Sequence, residues 1–218
     1  MKIKICGLRN EKDIKKSIEL GAWTLGLIFY KKSPRFISPD IAEDIFKKFE
    51  KKIYKSLVGV FVNETISKMK DIQKKVNFHT FQLHGDESPE TLSSINHQFN
   101  IIKKLNYKDF SKIHLFINAH PKVSFLIDGL PSSNGLYGGL GEVSDWIFAK
   151  KVKERIGSQG KLILAGGLGS KNIASAKREV DPFAFDLSSS VESEPGVKDH
   201  KKLEKLFLQF KRRSTYEP

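Results

Sequence analysis

The sequence predicts an α/β fold, a single-domain (β/α)8 TIM barrel, and three observations carry that prediction. Eight β-forming runs alternate with helix-forming runs along the chain, the pattern of repeated βα units around a parallel sheet. Glycine and polar residues collect at the ends of those runs and not at their starts, as they do where barrel loops build a site. The 218 residues suit one closed barrel and leave no room for a second domain, so residues 1–218 are expected to form one unit.

Taken in order, the first run, residues 2–6, is Lys-Ile-Lys-Ile-Cys, whose strict alternation is that of a strand. Asn10 is a candidate N-cap for a helix over 10–20. A strand over 24–29 leads to Ser38-Pro39, a cap followed by a first-turn proline, and so to a helix over 39–50. Strand 56–62 is followed by Asn63-Glu64-Thr65 opening a helix over 64–75. Strand 78–83 precedes a helix over 88–98 with Pro89 in its first turn. After strand 100–105 comes a shorter, poorly patterned helix over 108–118. Strand 123–128 is followed by Asp145 as the cap of helix 145–155. Strands 161–165 and 183–187 complete the set, with helices over 170–179 and 197–213.

Composition excludes several classes. Hydrophobic residues make up 39% and charged residues 29%, ordinary for a globular protein and unlike a disordered chain. No apolar run reaches the ~18 residues that span a bilayer, and the opening Met-Lys-Ile-Lys-Ile-Cys-Gly lacks the apolar core of an export signal. No membrane association and a cytoplasmic location are expected. One cysteine cannot close an intrachain disulfide, and six scattered histidines give no zinc spacing, so neither a disulfide nor a structural metal is expected to hold the fold. The net charge of +13 raises nucleic acid as a partner. Its lysines fall as doublets such as Lys47/Lys48 and Lys74/Lys75 inside amphipathic segments, the pattern of solvated helix faces. The expectation is no nucleic acid, and an anionic small molecule steered by the field.

Strand parity points to the chemistry. If Ile3 and Ile5 face the helices, Lys4 and Cys6 turn together into the barrel. Burial keeps a thiol protonated, whereas an ammonium on the same face favours the thiolate. In the sixth run Val123, Phe125 and Ile127 face outward and leave Asp128 at the inner mouth, where apolar neighbours would let it carry a proton at neutral pH. The first and sixth strands are three steps apart in a ring of eight, so Cys6 and Asp128 are expected to face each other, one to take a proton and the other to give one. With the thiol as base and the carboxyl as acid, the pH dependence expected is a bell, its lower limb from the thiol and its upper limb from the acid.

The remaining rim residues suggest binding. Gly166-Gly167 ends the seventh strand, and Ser188-Ser189-Ser190 follows the eighth, the pair of loops where barrels often hold phosphate. A short extra helix over 191–193 would aim N–H groups at the anion. Arg35 stands in the second loop as a substrate contact or a surface residue. Gln82 and His84 close the fourth strand as substrate contacts or structural groups, and Asp186 reads equally as a buried support or a ligand contact.

These residues resemble the phosphoribosylanthranilate isomerase family over nearly the whole chain. The resemblance runs through Lys4-Ile5-Cys6-Gly7-Leu8, Ser33-Pro34-Arg35, Gln82-Leu83-His84-Gly85, Ile127-Asp128 and Gly138-Gly139-Leu140-Gly141. It continues through Leu164-Ala165-Gly166-Gly167-Leu168, Asp186 to Glu192, and Pro195-Gly196-Val197-Lys198-Asp199. It implies a metal-free, cofactor-free Amadori rearrangement of a phosphorylated small molecule in tryptophan biosynthesis. Cys6 would be the general base, Asp128 the general acid, and Arg35 a contact of the anthranilate carboxylate. Either a monomer or a homodimer is compatible with it. Leu140, Ser144 and Ser190 depart from the family pattern. A related sugar isomerase of histidine biosynthesis would carry aspartate where this chain has Cys6.

Overall fold

The computed structural model describes residues 1–129 and 144–211. Parallel strands β1 (Lys2–Cys6), β2 (Thr24–Ile28), β3 (Leu57–Phe61), β4 (Thr80–Leu83), β5 (Asn100–Lys104), β6 (Val123–Ile127), β7 (Leu162–Leu164) and β8 (Ala184–Leu187) pair in chain order, and β8 returns to β1 to close the barrel. Helices α1 (Glu11–Leu20), α2 (Pro39–Phe46), α3 (Ile66–Val76), α4 (Pro89–Ser93), α5 (Ile113–Ala119), α6 (Trp146–Ile156) and α7 (Ile173–Glu179) connect successive strands, and α8 (His200–Lys211) follows the last. The expected (β/α)8 fold is the one observed. No helix among the described residues is long and apolar enough to cross a membrane.

Local chemistry sets the helix starts. Asn10, Ser38 and Asp145 each accept the backbone N–H three residues on, a cap worth about 1 kcal/mol. The third helix opens on Thr65, which accepts from Lys68. Two helices end early. The Tyr54 hydroxyl donates to the carbonyl of Phe46, beyond which Lys51–Ser56 winds as a 3-10 helix. In α4 the hydroxyls of Ser93 and Ser94 donate back to the carbonyls of Pro89 and Glu90, competing with the helical ladder. Only a 3-10 turn, Tyr107–Lys112, precedes α5.

The end of the chain departs most from expectation. No helix forms over 191–193. A single 3-10 turn, Ser189–Val191, leads into β9 (Glu192–Glu194), which pairs antiparallel with β10 (Val197–Lys198) across Pro195-Gly196. Gly196 has φ +86°, which glycine adopts without strain, and α8 consequently begins at His200 and not at Val197.

Two apolar layers result from strand alternation. Ile3, Ile5, Val123, Phe125 and Ile127 pack outward against the helices. Cys6, Val58, Val60, Ile102, Leu126 and Ile163 fill the barrel itself. Both parity expectations are therefore met. Trp23 packs at the strand-start end of the barrel beside Phe183, edge-on at 5.4 Å.

Candidate active site

Cys6 ends β1 inside the barrel, above Lys4 on the same face. Lys4 is fully buried, and its Nζ donates to Asp186 Oδ2 of β8 at 2.7 Å. Burial lowers the Lys4 pKa, but Asp186 and Cys6 outweigh it and hold the ammonium charged. Gly26 of β2 makes room for the group, because a Cβ there would lie 2.7 Å from Cys6 Sγ and 3.1 Å from Lys4 Nζ. For Cys6 the balance runs the other way: burial pushes the thiol up further than Lys4 and Lys198 pull it down. The second oxygen of Asp186, Oδ1, is buried without a hydrogen-bond partner.

Asp128 follows β6, and its surroundings are polar rather than apolar as expected. Its Oδ2 lies 3.3 Å from His84 Nε2, and its Oδ1 accepts the Gly129 N–H at 2.8 Å. Burial pushes the carboxyl up, but His84, the Gly129 N–H and Lys104 together hold it below the usual carboxylate range. Gln82 Nε2 lies 3.0 Å from His84 Nδ1. Donation from the amide leaves the proton of a neutral His84 on Nε2, facing Asp128. Gln82 and His84 are thus brought together with the candidate acid.

Arg35 is a buried residue of the mouth and not a surface arginine. Its Nε donates to both Glu192 oxygens at 3.0 and 3.1 Å, and its Nη2 to Oε2 at 2.8 Å. The side chain crosses the backbone directly after Cys6, since a Cβ on Gly7 would meet Arg35 Cδ at 2.7 Å. Lys198 of β10 donates to Glu192 Oε1 at 2.7 Å and to the Cys6 carbonyl at 2.6 Å. The Ser188 hydroxyl also donates to the Cys6 carbonyl, at 3.1 Å. Burial raises the Glu192 pKa, but Arg35 and Lys198 reverse the shift and keep it ionised.

The loops after β7 and β8 meet at the rim. Gly166 has φ +78°, and a Cβ on it would lie 2.2 Å from the Gly129 nitrogen. Its bareness therefore serves contact with the loop that carries Asp128. Gly167, with φ +57°, follows it, and its carbonyl accepts from Asn172. Gly169 faces Ser190, whose buried hydroxyl has no partner. Ser189 opens the 3-10 turn beside it. Ser144 is buried, and its N–H donates to the Gly166 carbonyl. The motif at 138–141, with Leu140, lies outside the described residues.

Sequence reasoning missed Glu192, Lys198, Lys103 and Glu87. Lys103 points out of the barrel, where it donates to the Gly85 carbonyl at 2.7 Å and to Glu87 Oε2 at 2.8 Å. Glu87 accepts from the N–H groups of Asn63 and Gly85, which fixes the loop after β4 and hence His84. The signal was present as two adjacent lysines ending a strand, one of which must face the helices.

Comparison with known proteins places the chain in a family. Residues 3–209 match the family model described as N-(5'phosphoribosyl)anthranilate (PRA) isomerase. The chain is similar to the N-(5'-phosphoribosyl)anthranilate isomerase of Thermotoga neapolitana, 36% identical over 200 residues that cover 92% of this chain and 93% of that one. Its structure resembles the phosphoribosyl anthranilate isomerase of Thermotoga maritima, with a TM-score of 0.80, 34% identity and coverage of 98% and 99%. It also resembles an isomerase solved in complex with reduced 1-(o-carboxyphenylamino)-1-deoxyribulose 5-phosphate, with a TM-score of 0.78, 33% identity and coverage of 97% and 99%. Family match, sequence identity and barrel fold agree, and the chain belongs to the phosphoribosylanthranilate isomerase family.

Proposed function

We propose that this protein catalyses the Amadori rearrangement of N-(5-phosphoribosyl)anthranilate to 1-(2-carboxyphenylamino)-1-deoxyribulose 5-phosphate, a step of tryptophan biosynthesis, with Cys6 as base and Asp128 as acid. The observation that carries the roles is the placement of one thiol and one carboxyl on strands three steps apart around the same mouth. Asp128 delivers a proton to the ribose ring oxygen as the C1′–O bond breaks, leaving an iminium at C1′. The iminium acidifies the C2′ proton, which the Cys6 thiolate removes. The resulting enolamine tautomerises to the ketone. Each transfer is the kind of step to which a positioned group contributes ~10²–10⁴-fold.

The directions of the two pKa shifts add a condition. A raised thiol and a lowered carboxyl make thiol plus carboxylate the prevailing form of the pair. The reacting form, thiolate plus acid, is its minor tautomer. Activity then still follows a bell in pH, but the lower limb tracks Asp128 and the upper limb tracks Cys6, opposite to the assignment made from sequence.

Binding divides between the two sides of the mouth. Glu192 fixes the plane of the Arg35 guanidinium, which then meets the anthranilate carboxylate as a preorganised cation. Gly166, Gly167, Ser188 and Ser189 border the phosphate end, with the unpartnered Ser190 hydroxyl between the two loops. Gln82 and His84 act through Asp128. All these residues come from one chain, so a monomer suffices for the chemistry, and the reaction belongs in the cytoplasm. The test is the fluorescence of phosphoribosylanthranilate on adding the purified protein. The reading requires an enzyme-dependent decay, and a trace matching the spontaneous rate would refute it.

A further inference from the structure

A second cavity, of about 520 Å³, opens at the end of the barrel opposite Cys6 and Asp128, among the strand starts. Its size falls within the ~300–1,000 Å³ range of small-molecule sites. Barrel interiors are usually closed by layers of bulky side chains, yet here Thr24, Thr80 and Ser124 face the cavity and Ala184 lies in the same interior layer. These small residues leave Val58, Ile102 and Ile163 as an apolar floor. Trp23 and Phe183 form an aromatic wall.

The polar features of the cavity share one sign. Lys55, Lys122 and Lys161 line it, and among the described residues no acidic one does. Lys2 adds a further cation, its Nζ 4.0 Å from the centre of the Phe183 ring. The Thr24 hydroxyl is buried, with 7% of the residue exposed, and has no hydrogen-bond partner. A buried hydroxyl without a partner costs free energy that a bound acceptor would recover.

We propose that this cavity is a second binding site, taking a small organic anion whose apolar body rests on the Val58–Ile102–Ile163 floor and whose oxyanion head meets the lysine rim and the Thr24 hydroxyl. Nothing in the isomerase chemistry uses these residues. Since the site stands at the far end of the barrel, its occupancy is independent of the roles assigned to Cys6 and Asp128.

Benzoate titrated into the isotopically labelled full chain, followed by amide NMR, tests this directly. Saturable shifts at Thr24, Ser124 and Gly160, with a dissociation constant in the millimolar range, are the expected result for so small a ligand. The double variant Lys122→Glu/Lys161→Glu, altered only at exposed positions, should bind about 10-fold more weakly at those amides while turnover stays unchanged. Ser124→Phe, which fills the cavity, should abolish the shifts. Shifts that rise linearly without saturating, equal affinity in the double variant, or inorganic phosphate binding as tightly as benzoate would each overturn the proposal. Benzoate bound beside Arg35 would move a different set of amides, at the other end of the barrel.

Discussion

Lys4 Nζ lies 2.7 Å from Asp186 Oδ2 beneath Cys6, so the cation expected to activate the thiol is shared with a buried carboxylate. Burial pushes the Cys6 thiol up, Lys4 pulls it down, and the Asp186 carboxylate adds to the upward shift. The thiol must be deprotonated against its environment, and the rate should fall as pH rises through the raised thiol value, because the acid partner is then lost as well.

Cys6→Ser should lower turnover by ~10²-fold or more, because a hydroxyl is a far poorer base than a thiolate. The protein should fold and bind a product analogue as before. Alkylation gives an independent check, since the chain has no other cysteine: activity should fall in proportion to thiol modified, and more slowly with the analogue bound. Full modification with activity retained would remove Cys6 from the mechanism.

His84→Asn should act through Asp128. With the imidazole gone, one of the three groups that hold the carboxyl below its usual range is lost, so its pKa rises. The acidic limb of the kcat/KM profile should move to higher pH while the alkaline limb stays in place. A shift confined to the alkaline limb would place His84 with the thiol instead.

Glu192→Gln should loosen Arg35 and raise the substrate KM, by an amount within the ~1.5–3 kcal/mol of a charged hydrogen bond. It also changes the acid stability. The Glu192 carboxyl is held below its ordinary value, so the stability it contributes is complete above the ordinary glutamate range and is lost as pH falls through the lowered value. Thermal melts of Glu192→Gln should therefore depend less on pH at the acid end than those of the parent. An unchanged KM would detach Arg35 from substrate binding.

Gly166→Ala tests the seam between the β6 and β7 loops. The added Cβ would sit 2.2 Å from the Gly129 nitrogen at a φ of +78°, so the loop bearing Asp128 must shift. We expect a stability loss of ~1–3 kcal/mol together with a fall in kcat, measured by thermal melts and initial rates. A folded variant with normal kcat would show that Asp128 tolerates movement of this loop.

Much of this was legible in the sequence where one rule decides one residue. Alternation in Lys2–Cys6 placed Lys4 and Cys6 inside the barrel, and the caps at Asn10, Ser38 and Asp145 marked three helix starts. What stayed hidden depends on partners far apart in the chain. Arg35 and Glu192 are separated by 157 positions and Lys4 and Asp186 by 182, and no local pattern announces either pair. The polar setting of Asp128 is hidden for the same reason, since β6 itself is apolar and, besides the adjacent Gly129 N–H, the groups that lower the pKa come from the ends of β4 and β5. The hairpin of β9 and β10 lies where helices over 191–193 and from 197 are expected, because strands of three and two residues are too short to show an alternating pattern, and Pro195-Gly196 makes the turn between them.

The central claim, that Asp128 supplies a proton rather than binding energy, is tested most directly by Asp128→Asn, with turnover and product-analogue affinity measured on the same preparation. An amide keeps the size and some of the hydrogen bonding of the carboxyl but has no carboxylic proton to give. The predicted result is turnover reduced by ~10²-fold or more, with the analogue bound within a few-fold of the parent. Analogue binding lost in step with turnover, or turnover left near the parent value, would contradict it.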